Sequence, residues 1–322
     1  PENGDADENY ISYINKFGHA FIESVTLKIG GKVIDTQTGE FIDIWNELTL
    51  GAAKQDVYST MIGSYEENIE LKKQYTSRVY YIPLLFFFCN HPGSALPLVA
   101  LGNHVVEINF KFKQFDDLIQ LGSSVTHYAD DQNTHFIIDL FVDYIYLDND
   151  ERLLMAQTMH EMLITQVKKI DHTMNNDEST RIPLSLLSHP VKEIIWVAKE
   201  VDEYDKPLKL LKYHTHDEIM QHATLVLDDE IRINRESAYY RYIQPFQHHT
   251  RIPNDYIYVY SFSLKPENES QPSGTCNFSR LQYPYLKVIN KNTLNKRIQY
   301  TIYALNWNIL HIQGGQAGVV FA

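Results

Sequence analysis

Along residues 104–112 (HVVEINFKF) apolar and polar positions alternate, with Val106, Ile108, Phe110 and Phe112 on one face and Glu107, Asn109 and Lys111 on the other. A period of two predicts a strand with one buried face. Residues 80–89 (YYIPLLFFFC) are apolar on both faces, and Asn90, His91, Pro92 and Gly93 close the run. A bilayer-spanning helix takes roughly 20 apolar residues, so this run is too short to cross a membrane. Its aromatic content predicts a core strand covered on both sides. Pro83 has no N–H to give a ladder and belongs at a bulge, an edge or the start of that strand.

The same plan occurs twice. Residues 26–35 (TLKIGGKVID) and 224–234 (TLVLDDEIRIN) both read as strand, two-residue turn, strand, with Gly30-Gly31 and Asp228-Asp229 at the turns. Gly-Gly readily supplies the positive φ of a type I′ hairpin. An acidic residue and aromatics follow each hairpin: Glu40, Phe41 and Trp45 in one half, Glu236, Tyr239, Tyr240 and Tyr242 in the other. Phe41, Ile44, Trp45 and Leu48 fall at i, i+3, i+4 and i+7, one stripe of a helix. Residues 80–89, a Pro/Gly loop and residues 104–112 are echoed by residues 256–264 (YIYVYSFSL), a loop with Pro266, Pro272 and Gly274, and residues 285–290 (YLKVIN). Two ordered matches of this kind predict duplicated β domains.

The stretch 115–133 is polar and turn-rich and marks the boundary. The expected units are residues 1–118, a linker at 119–133, and residues 134–322. Beyond the linker, residues 135–147 (HFIIDLFVDYIYL) predict a long strand, and Asp150 is placed to cap a short helix over ERLLMAQ. Further strands are expected at 163–170, 191–199 and 299–312, giving sandwiches of short antiparallel strands with the first half the poorer in strands.

Composition sharpens this picture. The chain has 322 residues, enough for two cores, and its 22 Tyr and 15 Phe favour packed strands over disorder. A formal charge of −13 opposes direct binding to a nucleic-acid phosphate backbone, and no basic cluster outweighs it locally. Cys89 and Cys276 make no disulfide framework and fit two free, mostly buried thiols in a reducing compartment, with one bridge left open. The N-terminal PENGDADENY is acidic and turn-rich, reads as surface loop, and is no secretory signal.

Candidate chemistry is sparse. His160-Glu161 opens like a zinc-protease motif, but Ile164 stands where the second histidine belongs. His214 and His216 resemble a metal-binding cupin pair, yet Glu218 comes too early and no glycine frames them. His248 and His249 read as loop residues facing solvent or backbone. Nucleophile-elbow and phosphate-loop patterns are absent, and the two glycosylation sequons, at Asn268 and Asn277, come without a secretory signal. The expectation is no catalytic, cofactor-binding or metal residue, and a structural protein. The rival is a jelly-roll carbohydrate-binding module offering Tyr239, Tyr240 and Tyr242 to a sugar.

Five segments in order, YYIPLLFFFCNHPGSALPLVAL, GEFIDIWNELT, VDYIYLDNDERLLMAQTMHEMLI, HPVKEIIWV, and SGTCNFSR with IYALNWNILHIQGGQAG, carry a resemblance. From about Tyr10 onward the chain closely resembles the major capsid proteins of nucleocytoplasmic large DNA viruses. The resemblance implies an all-β double jelly roll of two antiparallel sandwiches, the first lacking its N-terminal strands. It further implies a homotrimer forming a pseudo-hexagonal capsomer of an icosahedral shell, contacting neighbouring capsomers and minor capsid proteins. Such a protein resides in the virion and assembles in the host cytoplasm. It has no cofactor, no direct nucleic-acid contact and no transmembrane segment.

Overall fold

The computed structural model describes residues 11–64, 78–121, 136–175, 178–201, 211, 218–291 and 297–321. The first half holds β1 (Ile11–Tyr13), α1 (Phe17–Phe21), β2 (Ile22–Ile29), β3 (Lys32–Gln37), α2 (Gly39–Thr49), α3 (Ala52–Ile62), β4 (Val106–Phe112) and β5 (Ile119–Leu121). Strand β2 lies between β3 and β4, all antiparallel, and β1 pairs β5. The expected alternation in β4 is present, with the apolar positions partly covered and Glu107, Asn109 and Lys111 exposed.

The second half runs α4 (Asn149–Gln157), β6 (His160–Asn175), β7 (Ser179–Pro183), β8 (Pro190–Glu200), β9 (Met220–Leu227), β10 (Glu230–Glu236), α5 (Gln244–His248), β11 (Tyr258–Ser261), β12 (Cys276–Asn277), β13 (Tyr285–Asn290), β14 (Arg297–Gln313) and β15 (Gln316–Val319). One sheet has the order β10-β9-β13-β7 and the other β11-β8-β14-β15, with β6 on β14 and β12 on β8. Between them sits a core built on Trp196, Tyr240, Tyr258 and Tyr300. Burying each such side chain contributes roughly 1.5–3 kcal/mol.

Both hairpins form as expected. Gly30 and Gly31 sit at φ 57° and 77°, and Asp228 and Asp229 at 51° and 63°, the positive values of a type I′ turn. A side chain on Gly30 would meet the His104 ring about 2.5 Å away, so only glycine fits there. Each hairpin leads into helical turns, α2 in one half and residues Tyr239–Ile243 with α5 in the other. Thr38 caps α2 by accepting from the Phe41 amide at 3.1 Å. Phe41, Ile44, Trp45 and Leu48 are buried as the stripe predicts, against Val167, Ile195, Val197, Val259 and Leu305 of the second half. Helix α2 therefore belongs to both units.

Two expected strands fail on pairing, and one helix cap lies elsewhere. Residues 80–89 form no ladder: Phe86 and Phe87 are buried beside Val25, Leu27 and Ile29, but the backbone carries turns, not a strand. The echo of residues 256–264 therefore holds only in part, since β11 does pair β8. Residues 136–148 are mostly exposed and have no strand partner among the described residues. The α4 cap is Asp148, not Asp150; Asp148 accepts from the Glu151 amide at 2.8 Å and Glu151 answers its amide, a capping box. The strands expected at 163–170, 191–199 and 299–312 are present and longer, as β6, β8 and β14.

Candidate assembly surface and the junction that shapes it

The long strands β6 and β14 pair along their whole length, and their far ends enter the first half's core, where Ile164, Leu310 and Ile312 pack with Ile22, Leu27 and Ile34. Around this shared hydrophobic body the junction is polar. Asp35 on β3 accepts from the Val167 amide at 2.9 Å, and Gln166 donates to the Ile34 carbonyl. Burial pushes the Asp35 carboxyl up to about 6, only partly offset by its hydrogen bonds from Val167, Gln37 and Thr36. Tyr303 on β14 pairs with Thr38 and donates to Glu40, each at 3.0 Å, and Lys199 reaches Glu40 at 2.6 Å.

Helix α2 carries the deepest charges. Asp43 accepts from Lys16 at 3.0 Å and faces His19 at 2.9 Å, and His19 in turn meets the Tyr58 hydroxyl at 2.7 Å. Burial opposes the Asp43 charge, but Lys16 and His19 outweigh it and hold the carboxyl well below the usual range. Glu47 bridges Lys16 to Arg251, whose backbone amide also donates to the Leu48 carbonyl. Lys192 lies between two indoles, 5.5 Å from the Trp45 ring centre and 5.0 Å from that of Trp307, and donates to the Pro266 carbonyl. These contacts tie the two units into one block, because buried charges keep their partners only in one geometry.

His249 overturns its loop reading. Its ring is buried between Glu193 at 3.0 Å and Glu267 at 3.1 Å, and although burial resists the charge, the two carboxylates raise its pKa to about 9. His248 does meet a backbone carbonyl, that of Leu264 at 3.2 Å. His160 and Glu161 lie on strand β6, so they share no helical face, and His160 bonds the Met155 carbonyl. His214 and His216 fall outside the described residues. Among the described residues no three His, Cys, Asp or Glu side chains are grouped to hold a metal.

Tyr240 is fully buried and donates to the Ala223 carbonyl at 2.9 Å, Tyr239 is partly buried, and only Tyr242 is exposed. The three do not make an aromatic groove for a sugar. Cys89 is exposed and Cys276 half-buried, and both are free, so the thiols are less buried than composition suggests. No helix among the described residues is long and apolar enough to cross a membrane. Among the described residues the longest exposed apolar run is residues 136–146, where Ile137, Phe141 and Tyr146 are 90%, 82% and 91% exposed. Among the described residues, nothing bonds the backbone of residues 137–147. Phe136 holds the start of the stretch through ring contacts to Phe17, Phe21 and Phe115. Its apolar content was legible in the sequence; its lack of a partner was not.

Two family models divide the chain between them: "Major capsid protein N-terminus" matches residues 2–148, and "Large eukaryotic DNA virus major capsid protein" matches residues 151–318. The chain belongs to the major capsid protein family of large eukaryotic DNA viruses. The major capsid protein of Pyramimonas orientalis virus is 36% identical, over 95% of this chain and 77% of its own length. That of Paramecium bursaria Chlorella virus 1 is 28% identical over 94% and 79%. A quasi-atomic model of the PBCV-1 virus capsid superposes with a TM-score of 0.76 at 25% identity, covering 98% of this chain and 87% of that one. The Faustovirus major capsid protein, at 12% identity and a TM-score of 0.71 over 95% and 74%, shares the fold. The fold is the double jelly roll, all-β and antiparallel.

Proposed function

We propose that three copies of this chain close into a ring whose six jelly rolls give a pseudo-hexagonal capsomer, the tile of an icosahedral shell. The observation that carries the reading is the junction: two units of similar plan locked together by α2, by the ends of β6 and β14 in the first core, and by the ion pairs Glu40–Lys199, Glu47–Arg251 and Lys16–Asp255. A tile must hold the angle between its two corners, and a polar junction with matched partners is suited to that task. Ring closure then supplies several kinds of contact from one small body. The exposed apolar stretch 136–146 supports an associating role, since monomeric proteins rarely leave such surface open. The units are residues 1–118 and 134–322, joined by 119–133.

The capsomer meets neighbouring capsomers and minor capsid proteins within the virion, after assembly in the host cytoplasm. It performs no catalysis and uses no cofactor. The charge of −13 suits contact with protein rather than genome, and makes assembly respond to salt. Negative-stain images of the purified protein are expected to show hexagonal outlines. Uniform small particles without that outline would refute the reading.

A further inference from the structure

What the first unit buries against the second, the second unit leaves open. The sheet order β3-β2-β4 recurs as β10-β9-β13. Thr26 bonds Thr36 across the first hairpin, and Thr224 bonds Asn234 at the same positions of the second. Counted from the turns Gly30-Gly31 and Asp228-Asp229, this register continues into the helical segments. Ile42 and Tyr240 stand at the same position, and each enters the core of its own unit.

In that register the α2 stripe Phe41, Ile44, Trp45 and Leu48 corresponds to Tyr239, Tyr242, Ile243 and Phe246. Every one of these side chains is apolar or aromatic, and the spacing puts each set on one face. Their surroundings differ. The α2 residues are at most 8% exposed, because they pack with Val197 on β8, Val259 on β11 and Leu305 on β14. Tyr242, Ile243 and Phe246 are 43%, 44% and 75% exposed. Their backbone is nevertheless well held: Tyr240 donates to the Ala223 carbonyl, and Pro245 stands in the first turn of α5. The Arg241 guanidinium lies over the Tyr242 and Tyr256 rings, 4.8 and 3.9 Å from their centres. A face ordered in advance loses little entropy on docking.

The same repeat identifies the receiving surface. Within one chain α2 covers β14, the strand after β13, at Tyr303 and Leu305. In the first unit the apolar segment that follows β4 and the short β5 is residues 136–146, open at Ile137 and Phe141. Resting on the ring proposed above, we infer that the face of Tyr242, Ile243 and Phe246 docks on residues 136–146 of the next copy, as α2 docks on the second unit within a chain. The contact is heterologous, second unit to first. Each copy gives one face and receives one, and three such contacts close the ring. Two open apolar surfaces on one chain are thereby covered by each other.

Site-directed cross-linking of the full chain tests this. In a Cys89→Ser, Cys276→Ser background, Phe246→Cys together with Phe141→Cys and a short bismaleimide should give bands of two and three chain masses on a denaturing gel. Either new cysteine alone should give neither band, because a head-to-tail contact does not bring a position to its own copy. Separately, Phe246→Asp should weaken self-association in sedimentation by about tenfold or more at an unchanged melting midpoint. Should that variant fail to fold, Tyr242→Asp takes its place with the same expectation. A parent of one chain mass overturns the ring and this contact together. If the parent has three chain masses, the contact alone is overturned by an aspartate variant that associates as the parent does, by a cysteine pair that does not cross-link, or by single cysteines that cross-link as well as the pair.

Discussion

Two regions of this molecule invert the usual distribution of polar and apolar groups, in opposite senses. At the junction, charges lie inside: Asp43, Lys192, Glu193 and His19 are almost fully buried. Along residues 136–146 apolar side chains lie outside. The junction tolerates its charges because each has a partner from a distant part of the chain, as Lys16 has in Asp43 and Asp255, and His249 in Glu193 and Glu267. Among the described residues, the exposed stretch has ring contacts only at Phe136. One region is finished by intramolecular contacts, and the other is open to contacts with something else. Substitutions should therefore act on folding in the first and on association in the second.

The largest effect is expected from Asp43→Ala, which strands the buried Lys16 and His19. Removing one member of such a set costs about 3–5 kcal/mol, to be read from urea denaturation. A loss below 1 kcal/mol would show that this buried charge set is not needed for folding.

Alkali should come next. The folded pKa of His249, about 9, lies above its ordinary 6.5, so its contribution is fully present below pH 6.5 and is lost as pH rises through 9. The difference corresponds to about 3 kcal/mol. Denaturation midpoints should fall between pH 7 and 10, and His249→Gln should flatten that fall. An unchanged slope in the variant would assign the alkaline loss to another group.

Asp35 acts in the same direction, at lower pH. Its carboxyl is raised to about 6 by burial, so the folded state resists its ionisation and stability contributed by the neutral form is lost as pH rises from 4 through 6. Asp35→Asn is expected to gain about 1 kcal/mol at pH 8 and nothing at pH 4, since the amide oxygen still accepts from Val167. A loss at pH 8 would mean that the charge itself holds the junction.

The smallest effect on folding belongs to the exposed stretch. Ile137→Asp with Phe141→Asp should change unfolding free energy by less than about 0.5 kcal/mol while lowering self-association in sedimentation. A large loss of stability would place these residues in the folding core and remove the contrast.

What the sequence showed and what it hid follow from the range of the interactions. Both hairpins and the α2 stripe were legible because Gly30-Gly31, Asp228-Asp229 and the spacing Phe41, Ile44, Trp45, Leu48 are local signals. The Asp148 box has an equally local form, an acid three residues before Glu151, but the cap expected from the sequence, Asp150, lies two residues late. Residues 80–89 and 136–148 misled because apolar content records a demand for burial, whereas a strand needs a ladder partner that composition does not specify. The burial of His249 was hidden as well, since Glu193 is 56 residues away in sequence.

The central claim is that this chain is a tile that closes into rings of three. Light scattering coupled to size exclusion, at micromolar protein and physiological salt, measures it directly. The account predicts a mass about three times the 37.5 kDa of the chain. A stable particle of one chain mass under those conditions would contradict it.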